Sequence, residues 1–233
     1  MFIVLNIYKT KENINDMVYF YNGNISELLK VSSDAKFQKL VYAASDLGLN
    51  TEIYNTVEEM KRRCGNDDAF ACYDKKGNSL IFANDLSSYT VSGHEISHGI
   101  IHGEDGRKSY SSTILEQVLA TIMDWYIDNN CPNPEEFDPE NKINNIKDFQ
   151  TSDFIDSINN GSFDKMLSIL YSNYRSSSAL PLDLRKNEVS FAFQRLREKL
   201  GESDFPFLNI GVENALLNRF QYLNLTAPIL NVE

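Results

Sequence analysis

Histidine, cysteine and basic residues are scarce in this 233-residue chain. It has three histidines and three cysteines, and its 22 Lys and Arg residues face 33 Asp and Glu residues, for a net charge of −11. Binding to nucleic acid without sequence specificity depends mainly on neutralisation of phosphates by Lys and Arg. The charge therefore disfavours a nucleic-acid partner. The histidines, His94, His98 and His102, all lie in one short segment, which confines any imidazole chemistry to it.

Long apolar runs are missing as well. A bilayer-spanning helix needs about 20 apolar residues, and no run here approaches that length. The apolar residues 1–9 lack a basic region and a small-residue cleavage site, so they are expected to form a buried strand rather than a signal peptide. We expect no membrane partner.

The cysteines, Cys64, Cys72 and Cys131, are odd in number and fit no zinc-ribbon or disulfide framework. This pattern predicts free, mostly buried thiols, as in a reducing compartment. The expected location is therefore cytoplasmic.

Local signals mark the elements that precede the histidines. Residues 35–47 have apolar positions at helical spacing. Thr56 and Glu59 have the spacing of a capping box, which predicts a short helix that Gly65 ends. Residues 69–83 alternate as strand, Gly-Asn turn and strand, which predicts a hairpin.

The segment with the strongest chemical signal is His94-Glu95-Ile96-Ser97-His98, an HExxH motif. On a helix, side chains four residues apart lie on one face. Two imidazole nitrogens can then bind one zinc ion at about 2.0–2.1 Å. Glu95 follows the first histidine and can accept a proton from a water that zinc activates. The motif predicts a hydrolytic Zn²⁺ site with Glu95 as general base.

A catalytic zinc usually has three protein ligands and one open position, so a third ligand is needed. His102 would lie about 80° around a continued helix from His94 and two turns along it, which favours a packing or supporting role. Glu116, in the first turn of a helix predicted over 113–129, is the preferred ligand. Asp124 comes next, followed by Asp105 and His102.

These features together resemble the ImmA/IrrE family of compact zinc metallopeptidases. The resemblance covers about residues 35–130 and rests on the hairpin, on the HExxHxxxH segment and on a later helix with an acidic residue. It implies a gluzincin-type fold in which His94, His98 and Glu116 bind zinc and Glu95 is the base. The metallopeptidase domain of ArdC-type antirestriction proteins is similar in the same way.

The predicted fold class is α+β. Residues 1–131 are expected to form a zincin-like domain with a short antiparallel sheet, the HExxH helix and a following ligand helix. Residues 132–156 contain three of the six prolines and are acidic, which predicts a linker. Residues 157–233 are predicted to form a C-terminal helical region, with helices over 163–174, 183–200 and 212–223.

Three functions are compatible with the sequence. The preferred one is a zinc-dependent metallopeptidase that cleaves a regulatory protein, with an extended substrate strand added to the edge of the hairpin. The alternative is a zincin-like module of a phage or mobile element that blocks a host defence enzyme by contact. A structural zinc site is the third, but it would have four protein ligands and no use for Glu95.

Overall fold

The computed structural model describes residues 21–30, 33–65, 71–74, 77–83, 92–102, 114–128, 143, 145–174 and 182–223. The strand predicted over 1–9 lies outside these ranges. The chain divides into two compact units, Met1–Gly106 and Arg107–Glu233. This division precedes the helix predicted over 113–129, which the sequence assigned to the first domain; the predicted domain boundaries stay predictions. Among the described residues, none of the helices has the length and apolar character needed to span a bilayer.

The described residues of the first unit form four strands and three α-helices. In chain order these are β1 (Tyr21–Asn24), a 3₁₀ helix (Ile25–Lys30), α1 (Ala35–Asp46), β2 (Asn50–Tyr54), α2 (Val57–Cys64), β3 (Cys72–Asp74), β4 (Ser79–Ala83) and α3 (Ser92–His102). The strand order is β1-β2-β4-β3, so β3 lies at one edge. Together with the helices of the second unit, this confirms the α+β class.

The sheet is mixed, whereas the sequence predicted an antiparallel one. The predicted hairpin is confirmed, since β3 and β4 pair antiparallel, and β1 pairs antiparallel with β2. However, β2 and β4 run parallel. Parallel neighbours need a crossover connection, and α2 with β3 provides it between these two strands.

The predicted start of α2 at Thr56 and its predicted end at Gly65 are confirmed, and Asp34 caps α1 in addition. The Asp34 side chain accepts hydrogen bonds from the backbone N–H groups at the start of α1, and the Thr56 hydroxyl accepts one from the Glu59 N–H at the start of α2. Gly65 ends α2 at φ +67°, a left-handed conformation that glycine adopts without a Cβ penalty. These caps satisfy backbone groups that a helix leaves unpaired.

The prediction of free thiols is wrong for Cys64 and Cys72. They form a disulfide with a Cα–Cα distance of 6.0 Å, which joins the end of α2 to the start of β3. The sequence separation of 8 carries no framework signal, and it is the crossover that places the two residues side by side. The inference of a cytoplasmic location from free thiols loses its basis.

An ion-pair cluster joins α2 to both β2 and β3. Nε and Nη2 of Arg63, on α2, donate to the Glu52 carboxylate of β2 at 3.0 and 3.1 Å, and Nη2 also donates to Asp74 of β3 at 2.6 Å. Such a two-pronged contact between a guanidinium and a carboxylate fixes orientation as well as distance.

The part of the second unit that the structure describes is helical. It contains α4 (Ile114–Asp128), a 3₁₀ helix (Ile146–Asp148), α5 (Thr151–Asn159), α6 (Asp164–Tyr174), α7 (Leu182–Leu200), a 3₁₀ helix (Pro206–Leu208) and α8 (Ile210–Tyr222). The four helices predicted over 113–129, 163–174, 183–200 and 212–223 are present as α4, α6, α7 and α8. Each observed helix begins and ends within two residues of its prediction. Helix α5 begins inside the predicted linker, because Gln150 and Asp153 form a reciprocal capping box there.

Helix α4 is held in the second unit by an aromatic cluster. The Tyr126 ring lies 5.4 Å from the Phe207 ring, 5.8 Å from Phe205 and 6.3 Å from Phe154. Its hydroxyl donates to the Asp204 carbonyl at 3.1 Å, which satisfies the one polar atom of this side chain. The C-terminal helices therefore form the scaffold on which α4 is positioned.

We predict that Gly99→Ala destabilises the first unit. A Cβ at Gly99, in the middle of α3, would lie 2.1 Å from Cδ2 of the fully buried Leu49. Overpacking of this kind costs about 1–3 kcal/mol, of which the better helix propensity of alanine returns up to about 1 kcal/mol. Urea unfolding should show a lower midpoint.

The double variant Gly99→Ala with Leu49→Ala is the control, because truncation of Leu49 makes room for the new methyl group. Its loss of stability should be smaller than the sum of the two single losses. Additive losses would show that the close approach of α3 to Leu49 does not limit stability.

Candidate metal centre

Helix α3 packs into the first unit through its apolar residues, and its histidines occupy other positions of the same helix. Ile96, Ile100 and Ile101 are buried, and the helix packs against α1, β3 and β4. His98 is also buried, whereas His94 is partly exposed. The motif is therefore carried by a helix whose orientation is fixed on several sides within the first unit.

The structure brings the two motif histidines together. Nε2 of His94 and Nε2 of His98 are 3.2 Å apart, with the rings edge to face at 69°. Two nitrogens that bind one tetrahedral ion at 2.0–2.1 Å are about 3.4 Å apart. The pair therefore has the spacing of one edge of a tetrahedral metal site, and its donors fit zinc.

The sequence favoured a packing or supporting role for His102, whereas the structure includes it among the possible metal ligands. His98 and His102, both on α3, belong to a group of side chains that could hold a metal ion. Helix periodicity places His102 two turns away from His94. However, His102 lies four residues after His98, just as His98 lies four residues after His94. Imidazole and carboxylate donors suit zinc and also other divalent first-row metals, so the group by itself does not select the ion.

The carboxylate of Glu95 is enclosed by protein, although the residue as a whole is partly exposed. Burial raises the pKa of this carboxyl, against a smaller lowering by His98 and by the backbone N–H of Tyr73, which donates to the carboxylate. A general base works best when its pKa lies near the working pH. The environment of Glu95 moves its pKa in that direction.

The two acidic candidates on α4 belong to the second unit. Glu116 is 3% exposed and Asp124 is 2% exposed. Every residue over 116–127 is buried, so this helix carries carboxylates in an interior position. Buried carboxylates in proteins are paired or coordinate metals. Asp105, the further candidate, lies outside the described residues.

Comparison with protein-family models, with curated proteins and with solved structures found no match to this chain. The resemblance to ImmA/IrrE and ArdC-type metallopeptidases stays a prediction from the motif.

We predict that the histidines differ in their importance for metal binding. His98 belongs to both four-residue pairs, so His98→Ala should lower zinc affinity most, by at least about 100-fold. His94→Ala should follow closely, whereas His102→Ala should reduce affinity by about tenfold, the lower end of the range for a supporting residue. Competition titration with a chromophoric zinc chelator measures all three.

The reverse order, with zinc lost in His102→Ala and kept in His94→Ala, would assign the ion to the His98–His102 pair. Circular dichroism of each metal-free variant controls for loss of the helix.

Proposed function

We propose that this chain is a zinc-dependent metallopeptidase of the ImmA/IrrE-like, gluzincin type, and that it cleaves a regulatory protein. The observation that carries this proposal is the His94–His98 pair, with 3.2 Å between its Nε2 atoms, beside the enclosed Glu95 carboxylate. A pair of imidazoles with metal-site spacing next to a carboxylate that is not itself needed as a ligand is the arrangement of a hydrolytic zinc site.

We propose that His94, His98 and Glu116 hold the ion. Three protein ligands would leave the fourth position open. Zinc, when bound there, would lower the pKa of a water molecule and polarise the scissile carbonyl. Glu95 would accept the proton from the attacking water and return it to the leaving amine. With all three histidines in this one segment, no other imidazole could share that work.

The proposed substrate is a segment of protein in extended form. Pairing of this segment with the hairpin edge is constrained by Tyr73. Its backbone N–H already donates to Glu95. A peptide could therefore pair with this edge through the Tyr73 carbonyl alone, or by displacing Glu95.

The second candidate is a module that inhibits a DNA-binding defence enzyme by contact. The net charge of −11 favours it, because an acidic surface can imitate the phosphate backbone. Such a module would act without Glu95.

We predict that Glu95→Gln abolishes peptide hydrolysis and keeps the metal. Loss of general-base catalysis lowers kcat by about 10²–10⁴-fold. Zinc content by mass spectrometry and cleavage of a fluorogenic peptide library measure the two properties. Glu58→Gln, the same change at an exposed position of α2, is the matched control and should leave both unchanged.

Zinc-loaded native protein that cleaves no library peptide and no candidate protein would contradict the peptidase proposal. Inhibition of a defence nuclease that survives Glu95→Gln would establish the contact mechanism instead. Loss of zinc in Glu95→Gln would show that Glu95 is itself a ligand.

A further inference from the structure

Strand β3 contacts a different helix on each of its faces. Side chains alternate along a strand, so Cys72 and Asp74 point to one face and Tyr73 to the other. Cys72 and Asp74 are joined to α2, by the disulfide and by the ion pair with Arg63. Tyr73 is directed to α3. The three residues of β3 thus connect α2 with the helix that carries the HExxH motif.

Tyr73 makes two contacts with α3. Its backbone N–H donates to the Glu95 carboxylate. Its ring stacks on the His102 ring, with the centroids 6.4 Å apart and the planes 11° apart. A third contact fixes the ring from the other end, because the hydroxyl donates to Oδ1 of Asn78 at 2.9 Å in the β3–β4 turn. Tyr73 is thus held at its ring while its backbone N–H donates to the Glu95 carboxylate.

The two bonds on the α2 side lie on either side of Tyr73 in the sequence. The disulfide holds the preceding residue, Cys72, and the Arg63–Asp74 pair holds the following one at 2.6 Å. Cys64 and Cys72 are both partly exposed, so a reductant can reach them. Reduction would release the covalent tie and leave the ion pair.

We propose that Tyr73 is the positioning residue for the Glu95 base, and that the Cys64–Cys72 disulfide holds it in place, so that thiol reduction slows hydrolysis without releasing the metal. The kinetic part of this inference rests on the proposed peptidase function. A dithiol reductant supplies two electrons and two protons. The S–S bond breaks, Cys64 and Cys72 become thiols, and the dithiol is oxidised to its own disulfide.

The expected kinetic effect is confined to kcat. Displacement of a catalytic group by about 1 Å can cost about 100-fold in rate, and the remaining Arg63–Asp74 pair limits the displacement. Reduction should therefore lower kcat by about 10- to 100-fold and change KM by less than about threefold. His94 and His98 keep their spacing through α3 itself, so zinc content should not change.

The experiment compares full-length oxidised protein, protein reduced with tris(2-carboxyethyl)phosphine, and the double variant Cys64→Ser with Cys72→Ser. The phosphine breaks the same bond without adding a dithiol chelator. Cys131→Ser is the matched control, because it removes the third cysteine and should respond to reduction as the native protein does. Arg63→Gln in the reduced protein should lower kcat further.

A structural readout tests the contact without reference to activity. In protein labelled with ¹⁵N-tyrosine, the amide signal that disappears in Tyr73→Phe is that of Tyr73. Glu95→Gln should shift this signal, and reduction should speed its hydrogen exchange by about tenfold or more. Tyr73→Phe, which keeps the backbone and the ring, should retain most of kcat, whereas Tyr73→Leu should lower it.

The outcomes separate the two proposals. If no form of the protein hydrolyses peptides, but reduction speeds exchange at Tyr73 and Glu95→Gln shifts its signal, the peptidase function fails and the positioning contact stands. Unchanged exchange and unchanged kcat on reduction would overturn the inference. Loss of zinc on reduction would also overturn it, since the disulfide would then support the ligands rather than the base.

Discussion

The periodicity of a single α-helix is the constraint on which the site depends. Four residues advance a helix by slightly more than one turn, so His94 and His98 project from one face with their Nε2 atoms 3.2 Å apart. No loop closure or domain contact is needed to bring them together. What the rest of the first unit adds is a fixed orientation for this helix. Gly99 allows the close approach of Leu49 and of the Tyr73 ring, whose Cε2 would lie 3.6 Å from a Cβ at this position.

The burial of charged groups is the second physical constraint on the candidate site. The Glu95 carboxylate is enclosed, and Glu116 and Asp124 lie in a helix that is buried along its whole described length. Each buried carboxylate costs solvation free energy that only partners can offset. Within α4 the apolar anchor is Tyr126 with its aromatic neighbours, so the acidic residues contribute nothing that packing alone requires.

Features that depend on residues close together in the sequence could be predicted, whereas features that depend on contacts between distant segments could not. The helix start at Thr56, the Gly65 helix end, the β3–β4 hairpin and the HExxH helix each depend on residues a few positions apart. The parallel pairing of β2 with β4 depends on a crossover, and it is this crossover that brings Cys64 to Cys72. The odd number of cysteines led to the prediction of free thiols, because their spacing in the sequence cannot show that Cys64 and Cys72 lie side by side in the fold. The bond from the Tyr73 N–H to Glu95 was equally invisible, since any residue type has a backbone N–H.

The three histidines form two overlapping pairs, and one ion cannot use both. His94 and His102 are separated by two turns, about 12 Å along the helix axis, whereas ligands of one ion lie within about 3.4 Å of each other. His98 is common to both pairs, so the choice lies between its neighbours. Glu95 adjoins His94 in the sequence, so as the proposed base it would act on an ion held there. The Tyr73 ring stacks on the ring of His102. Tyr73 therefore contacts both the proposed base and the histidine that competes with His94 for the ion.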